Sequence, residues 1–171
     1  MIPREALILL KFVRKLSDTE KAYIAGFLDG DGSIYIRIKP NTEYRFNFQI
    51  SPAVVFYQGK KEKKHLEGLK KNLGIGYIRE RNDGIVEYII GSVENIEKLL
   101  KLILPYLRIK RKQAKLMLRV LNLKKSRKSV QNFVKMVELI DIFQELNYSK
   151  KRIQNFNKVK KTLQKEGLIA P

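Results

Sequence analysis

Two acidic residues separated by one glycine, Asp29 and Asp31, follow a segment whose pattern is typical of a helix. The last carbonyls of an α-helix have no partner within it, and that end carries partial negative charge. Two such ends brought together would place carboxylates side by side, a repulsive arrangement unless a cation binds it. Hard oxygen ligands without His or Cys suit Mg²⁺, which keeps several waters and shares phosphate oxygens. This chemistry is that of metal-assisted phosphodiester cleavage.

The same residues also resemble the opening of a calcium-binding EF-hand loop that would begin at Asp29. The sixth position of such a loop requires glycine, and here it is Ile34. The twelfth position requires glutamate, and here it is Pro40. The spacing therefore argues against an EF-hand.

The helix that positions the acidic pair is predicted over 18–29. Ser17 or Asp18 can serve as its N-cap, and the glycines Gly30 and Gly32 are expected to end it. Asp31 is then expected just beyond the last turn.

Small residues recur four apart along this helix, at Ala22, Gly26 and Gly30, with Ala25 next to them. Positions i, i+4 and i+8 share one face, and small side chains let a second helix approach closely. The partner helix could belong to a second copy of the chain, which predicts a two-fold homodimer with Ala22, Ala25 and Gly26 at its interface. The alternative is a helix packed inside its own core, and the spacing alone does not separate the two.

Composition favours a nucleic-acid partner. The 171 residues include 36 Lys and Arg against 17 Asp and Glu, a formal charge of +19. An anionic membrane surface ranks second, but no stretch approaches eighteen uncharged apolar residues. The absence of cysteine excludes disulfides, zinc ribbons and iron–sulfur clusters. The single histidine, His65, excludes multi-histidine metal sites and is expected on the surface of a Lys-rich helix.

Nothing in residues 1–11 indicates export, because their apolar run is too short and too charged for a signal peptide. We expect an intracellular protein. The Lys- and Ile-rich composition is compatible with an A/T-rich organellar genome, in a chloroplast or a mitochondrion.

The fold class predicted from periodicity is α+β, with one antiparallel four-stranded sheet and helices on one face. Pro52 should lie at an edge or a bulge, because proline cannot donate to a strand ladder. The expected elements after the first helix are strands 33–39 and 44–57, helix 60–73, strands 76–81 and 85–90, and helices 93–104, 109–122, 130–146 and 157–166.

The predicted sheet has two different faces. One is built of Ile and Phe, and the other is almost purely cationic and amide on both hairpins. A solvated face is the simple explanation, but a two-stranded ribbon also fits the DNA major groove. The polar face comprises Tyr35, Arg37, Lys39, Asn47, Gln49, Arg79 and Arg81.

Residues 23–32 resemble the LAGLIDADG motif of homing endonucleases, and the chain resembles the single-motif, homodimeric subfamily encoded in group I introns. Further similar segments follow in order at 32–34, 39–41, 74–79 and 105–114. The resemblance implies an αββαββα core with additional C-terminal helices. We expect a single domain over 1–171, with an N-terminal extension (1–17), the core (18–122) and C-terminal helices (123–171).

The resemblance also implies an activity. Members of this family cut both strands of a long, pseudo-palindromic DNA site and leave short 3′ overhangs. The expected cofactor is Mg²⁺, with Mn²⁺ able to replace it and Ca²⁺ binding without supporting cleavage. The expected partners are double-stranded DNA and a second copy of the chain, with intron RNA as a further candidate and no membrane.

By the same resemblance, Asp31 and the carbonyl of Gly30 bind metal, Lys110 stabilises charge near the scissile phosphate, and Gln58 positions the hydrolytic water. Without it, Lys110 would be interpreted as a simple phosphate contact. The family often has a basic residue four positions after this glutamine, where this chain has Glu62. Lys60, Lys61 or Lys63 could replace it, and the sequence does not choose among them.

The expected DNA contacts lie mainly on the sheet. Val55 is apolar where the family often has an amide, which hints at a contact with a thymine methyl group. The full set is Ser33, Tyr35, Arg37, Lys39, Asn41, Tyr44, Gln49, Ser51, Val55, Arg79, Arg81, Glu87, Ile89 and Lys112.

Two other functions remain open for such a chain. One is an RNA maturase that helps a group I intron to splice, and the other is a DNA-binding regulator without cleavage. Retention of Asp31, Gln58 and Lys110 favours the nuclease, because a pure DNA-binding protein has no need of an acidic residue beside phosphates.

Overall fold

The computed structural model describes residues 16–126, 129–147 and 155–170, so the expected extension over 1–17 lies almost wholly outside the described residues. The α+β prediction is confirmed, and the four strands form one sheet in the order β1-β2-β4-β3. The elements are α1 (Asp18–Asp31), β1 (Gly32–Pro40), β2 (Phe48–Gly59), a 3₁₀ turn (Lys60–Glu62), α2 (Lys63–Leu73), β3 (Tyr77–Glu80), β4 (Ile85–Ile90), α3 (Val93–Ile103), α4 (Arg111–Lys125), α5 (Val130–Glu145) and α6 (Phe156–Lys165).

The chain divides into two compact units. The first contains the residues up to 33 and 53–111, and the second contains 34–52 and the residues from 112 onwards. Strand β2 thus contributes its first part to the second unit and its remainder to the first. The expected single domain with a core over 18–122 stays a prediction.

In the first unit, helix α1 begins with a capping box. The Ser17 hydroxyl accepts from the amide of Glu20 (3.2 Å), and the Glu20 carboxylate accepts from the amide of Ser17 (2.9 Å). Two amides that would otherwise lack partners are satisfied reciprocally. Of the two candidate caps, Ser17 is the one used.

Helix α1 packs on one face of the sheet through aromatic side chains. The ring of Phe27 lies 5.3 Å from that of Phe56, which lies 5.8 Å from that of Tyr88. The hydroxyl of Tyr88 is buried and donates to the carbonyl of Ile75 (2.6 Å). Burial raises the pKa of Tyr88, so this phenol stays a neutral donor in the core.

The second hairpin and the helices around it follow the sequence predictions closely. Gly84 lies in the turn between β3 and β4 with φ 80°, where a side chain would be strained. Gly74 ends α2 with φ 65°, and the Ser92 hydroxyl caps α3 by accepting from Asn95 (3.3 Å).

In the second unit, β1 alternates as expected: Ile34, Ile36 and Ile38 are buried, whereas Arg37 and Lys39 are exposed. The buried core of this unit continues on the first part of β2 and on helices α4, α5 and α6. Its other large members include Phe48, Ile50, Met117, Leu121, Phe133, Val137, Ile140, Phe143 and Leu163.

Strand β2 begins at Phe48, four residues later than the sequence predicted. The intervening segment is a turn closed by bonds from Asn41 to Asn47 (2.8 Å) and from Asn47 to Tyr44 (2.7 Å). Asn47 adopts a left-handed conformation, with φ 58°. This residue type tolerates that conformation and ends the alternation that suggested a longer strand.

Pro52 was predicted to lie at a sheet edge or at a bulge. The edge position is wrong, because β2 is an inner strand of the sheet. The pairing of β2 with β4 begins at Val54, opposite Ile90. Pro52 therefore precedes this ladder, and its missing N–H costs no bond to β4.

Within the described residues, no helix is both long and apolar enough to span a bilayer.

The junction between α1 and β1 generates a stability prediction. A Cβ added at Gly32 would lie 2.5 Å from Leu28 Cδ1 and 2.8 Å from the Leu28 carbonyl oxygen. Gly32→Ala should lower the free energy of unfolding by about 1–3 kcal/mol, because backbone atoms must move. Gly68→Ala is the matched control: a Cβ there meets nothing within 4 Å, and alanine favours a helix by roughly 0.5–1 kcal/mol. Urea denaturation of both variants checks this, and equal midpoints would contradict it.

Candidate active site

Asp31 lies at the C-terminal end of helix α1. The sequence placed this residue beyond the helix, but that prediction is wrong: Asp31 is the last helical residue, and Gly30 lies within the last turn. The amide of Gly32 donates to the Leu28 carbonyl, which extends the helix through both Asp29 and Asp31. The carbonyl of Gly30 belongs to the final turn, whose carbonyls accept from no amide of the same helix.

The two acidic residues of the pair have opposite surroundings. Asp31 is exposed at the helix end, whereas Asp29 is buried. The carboxylate of Asp29 accepts from three successive amides, those of Arg108 (2.7 Å), Ile109 (3.1 Å) and Lys110 (2.8 Å). Only Asp31 therefore has a carboxylate that faces solvent and can take an external ligand.

Lys110 is held beside this helix end. Its Nζ donates to the backbone carbonyl of Asp29 (2.6 Å). Burial lowers the pKa of Lys110, and the carboxylates of Asp29 and Asp31 oppose that shift. The structure thus brings two of the predicted catalytic residues, Asp31 and Lys110, within electrostatic range of each other.

Gln58 lies on β2 opposite Val86, half-buried, near the middle of α1. Among the described residues, no hydrogen bond joins Gln58 to Asp31 or Lys110. Gln58 does line an open depression, which it shares with Tyr23, Gly26, Phe27, Glu62 and His65.

Glu62 stands where a basic residue was expected, and it is paired with His65. The Nδ1 of His65 lies 2.9 Å from the Glu62 carboxylate, and both side chains are more than half exposed. Of the candidate replacements, Lys63 binds Glu80 (2.6 Å) and Lys60 approaches it (3.6 Å). Glu80 raises the pKa of Lys63 by hydrogen bonding to it. Neither Lys60 nor Lys63 lines the depression beside α1.

Four of the DNA contacts expected in the first unit lie in two rows across β2, β4 and β3. One row contains Glu87 and Arg79, and the next contains Val55 and Ile89. Each row also contains a tyrosine that the sequence analysis missed, Tyr57 in the first and Tyr77 in the second. Val55 and Ile89 are buried, so each exposes little surface. Ser33, at the start of β1, is half-buried.

Glu87 is the centre of an ion-pair network on this surface. Its carboxylate is buried and accepts from Nε of Arg79 (2.6 Å), while a nitrogen of Arg81 lies 3.6 Å away. Arg81 also bonds to Asp83 (2.5 Å). Glu87 was expected as a DNA contact in its own right, but in the structure its charge serves to orient the two arginines.

In the second unit, the expected contacts are mostly exposed or half-buried. The guanidinium of Arg37 lies 4.7 Å from the centre of the Tyr35 ring. The amide of Gln49 donates to the Tyr44 hydroxyl (3.1 Å). The side chain of Asn41 accepts from the amide of Glu43 and so forms part of the turn. Lys39 and Lys112 are exposed and Ser51 is half-buried.

The face of α1 with small residues is open. Ala22, Gly26 and Gly30 are all exposed, and a Cβ added at either glycine meets nothing within 4 Å. This excludes burial of the small-residue face in the core of its own unit. Ala25 is different: it is fully buried, so it offers no surface to a partner.

Comparison with known proteins identifies the family. A family model described as LAGLIDADG endonuclease matches residues 24–120, which is more than half of the chain. This protein belongs to the LAGLIDADG endonucleases.

Two curated LAGLIDADG relatives extend the match over most of the chain. The DNA endonuclease I-CreI of Chlamydomonas reinhardtii is 35% identical over 131 residues, which cover 76% of this chain and 80% of that protein. The DNA endonuclease I-CvuI of Chlorella vulgaris is 32% identical over 148 residues, covering 86% and 92%.

Solved structures agree with the LAGLIDADG fold. The homing endonuclease I-CvuI, bound to the I-CreI target with magnesium and uncleaved DNA, superposes with a TM-score of 0.85 at 30% identity, covering 89% of this chain and 97% of that one. The archaeal intron-encoded homing endonuclease I-Vdi141I, complexed with DNA, gives a TM-score of 0.80 at 21% identity, covering 89% and 99%. The second likeness supports the fold alone.

The arginine network of this LAGLIDADG chain generates a prediction. Glu87→Gln should weaken the bond to Arg79, because the acceptor loses its charge. Since Arg79 is 55% exposed, the loss in unfolding free energy should be about 1 kcal/mol or less, and smaller at high salt. The more direct readout is the Nε–H resonance of Arg79, whose exchange with water should accelerate.

Glu43→Gln is the matched control for this measurement, because it removes an exposed carboxylate in the turn before β2. An Arg79 Nε–H that exchanges equally fast in the wild type and in the Glu87 variant would refute the network.

Proposed function

We propose that this protein is a site-specific homing endonuclease that makes double-strand cuts in a long, pseudo-palindromic DNA site and leaves short 3′ overhangs. The observation that carries the proposal is the end of α1, where an exposed carboxylate at Asp31 lies within electrostatic range of the anchored ammonium of Lys110. A protein that only bound DNA would gain nothing from an exposed carboxylate there, since it repels phosphate.

The donor set at this helix end fits Mg²⁺. Within the described residues, no three His, Cys, Asp or Glu side chains cluster as a complete metal cage. The Asp31 carboxylate and the Gly30 carbonyl would hold the ion, with water and DNA phosphate oxygens completing an octahedron. The bound ion would supply an activated water and neutralise developing negative charge. We expect Mn²⁺ to replace it, and Ca²⁺ to bind without supporting cleavage.

The side chains around the ion have separate roles in the proposed reaction. Lys110 places a positive charge beside the phosphate. Its bond to the Asp29 carbonyl already restricts the side chain, so little conformational entropy is lost when the phosphate binds. Gln58 carries both a donor and an acceptor, so it can orient a water molecule. Its place in the depression along α1 is compatible with this role.

Contact with DNA follows from charge and from the polar face of the sheet. A formal charge of +19 favours association with a polyanion. In the first unit, Arg79 and Arg81 present planar forks that suit guanine edges. In the second unit, Arg37, Lys39 and Lys112 are exposed and can reach base edges or phosphates.

The proposed active protein is a two-fold homodimer. The exposed face of Ala22, Gly26 and Gly30 permits close helix approach, and the end of that same helix carries Asp31. Two copies joined through this face would bring two metal-binding carboxylates to adjacent phosphates. Intron RNA as a further partner, and a chloroplast or mitochondrial location, stay predictions.

The assigned role of Asp31 can be tested directly. Asp31→Asn should abolish cleavage of a DNA library in Mg²⁺, because the amide cannot replace a metal-binding carboxylate. DNA affinity measured with Ca²⁺ should change by less than about tenfold, since most affinity comes from cationic contacts. Glu94→Gln, which also removes an exposed carboxylate, is the matched control and should cut normally. Cleavage by the Asp31 variant would refute the role.

The dimer interface generates a second test. Gly26→Leu should leave the chain folded, because a Cβ at this position meets nothing within 4 Å, but it should prevent close approach of two helices. We expect a monomer in sedimentation experiments and loss of double-strand cleavage. Gly68→Leu, on α2, is the control, since a Cβ there also meets nothing within 4 Å. If Gly26→Leu still forms a dimer with unchanged self-association affinity, the proposed interface is refuted.

A further inference from the structure

The buried member of the acidic pair, Asp29, contacts the segment that carries Lys110 at four points. Three are the bonds from its carboxylate to the amides of Arg108, Ile109 and Lys110. The fourth is the bond from Lys110 Nζ to the carbonyl of Asp29 itself. One residue therefore fixes both the backbone and the ammonium group of Lys110.

The segment 108–110 cannot satisfy these amides by itself. It immediately precedes α4, which begins at Arg111, and amides at the start of a helix have no helical acceptor. A carboxylate with four lone-pair positions is the side chain that can accept from three donors at once. A buried carboxylate also needs such donors, because an uncompensated buried charge is costly. The two requirements satisfy each other.

We propose that Asp29 is the positioning residue for Lys110, acting on DNA cleavage only through the place it gives that ammonium group. The inference rests on the proposed nuclease function. It divides the acidic pair into two roles. Asp31 is exposed and directed at an external ligand, while Asp29 is buried and occupied by its own chain.

The alternative is that Asp29 merely stabilises the fold, and a double-mutant cycle separates the two. Lys110→Met should reduce the single-turnover cleavage rate by about 10²- to 10³-fold. Asp29→Asn keeps the shape but presents an NH₂ group to backbone donors, so it should slow cleavage at least roughly tenfold. If Asp29 acts through Lys110, adding Asp29→Asn to Lys110→Met should cost less than about twofold more.

A purely structural role gives a different result. In that case Asp29→Asn would slow the Lys110→Met protein by the same factor as the wild type, and this outcome would overturn the proposal. The DNA used is a duplex carrying the site that the wild-type protein cuts, selected from a random library. Affinity for this duplex in Ca²⁺ should stay within about threefold of the wild type, because the phosphate-facing cations remain.

A second measurement needs no DNA cleavage. In the wild-type protein, the amides of Arg108, Ile109 and Lys110 should exchange with solvent slowly, and Lys110 should react with an amine-acylating reagent more slowly than exposed Lys112. Asp29→Asn should accelerate exchange at the three amides and acylation at Lys110. Fast exchange of the three amides in the wild type would overturn the proposal even if the variant failed to fold.

The two proposals can fail separately. If the wild-type protein cuts no DNA with Mg²⁺ or Mn²⁺, the proposed nuclease function fails, yet exchange and acylation still report whether Asp29 holds Lys110. If the wild type cuts DNA but the effects of Asp29→Asn and Lys110→Met are additive, the nuclease function is supported and the positioning role of Asp29 is refuted.

Discussion

The buried carboxylate of Asp29 is the constraint on which the geometry of the first unit depends. It lies 79 to 81 residues before the amides that it accepts from, at 108–110. A charge in this position must be fully compensated, so the end of α1 and the segment 108–110 cannot be placed independently of each other. Once the bonds form, Asp31 and Lys110 occupy defined places without needing to contact each other directly.

The two sides of helix α1 have different surroundings. One side buries Ile24, Ala25 and Leu28, which hold the helix on the sheet. The other side exposes Ala22, Gly26 and Gly30, with the largely exposed ring of Tyr23 next to them. The helix is thus fixed by one face while the other stays available for close approach, and Gly30 can lie within a helix despite its poor propensity because packing outweighs it.

Local periodicity was enough to predict most elements. The alternation of Ile34, Ile36 and Ile38, the cap at Ser92 and the turn at Gly84 all act within a few residues. The errors arose where a local signal was ambiguous. Gly30 was interpreted as a helix stop, and the left-handed conformation of Asn47, which delays β2, cannot be read from the alternating pattern around it.

The internal partners of the acidic side chains could not be predicted from the sequence. Asp29 has the same chemistry as Asp31, and only the fold shows that its acceptor positions are already occupied. Glu87 lies at an alternating position typical of an exposed face, yet it is buried and is paired with Arg79 and Arg81 of the same hairpin. In both cases a carboxylate that looked free for an external ligand is already paired within the chain.

The distribution of charge at the end of α1 also bears on the proposed homodimer. Burial of Asp29 removes one carboxylate from the set that could bind a cation, which leaves Asp31 as the exposed acidic side chain at this helix end. One carboxylate and one carbonyl hold a hard divalent cation weakly unless other oxygen ligands join them. Those oxygens must come from phosphates, water or a second helix end. Because the exposed glycines lie on the helix that ends at Asp31, the contact in the proposed homodimer would also bring a second helix end to the proposed metal site.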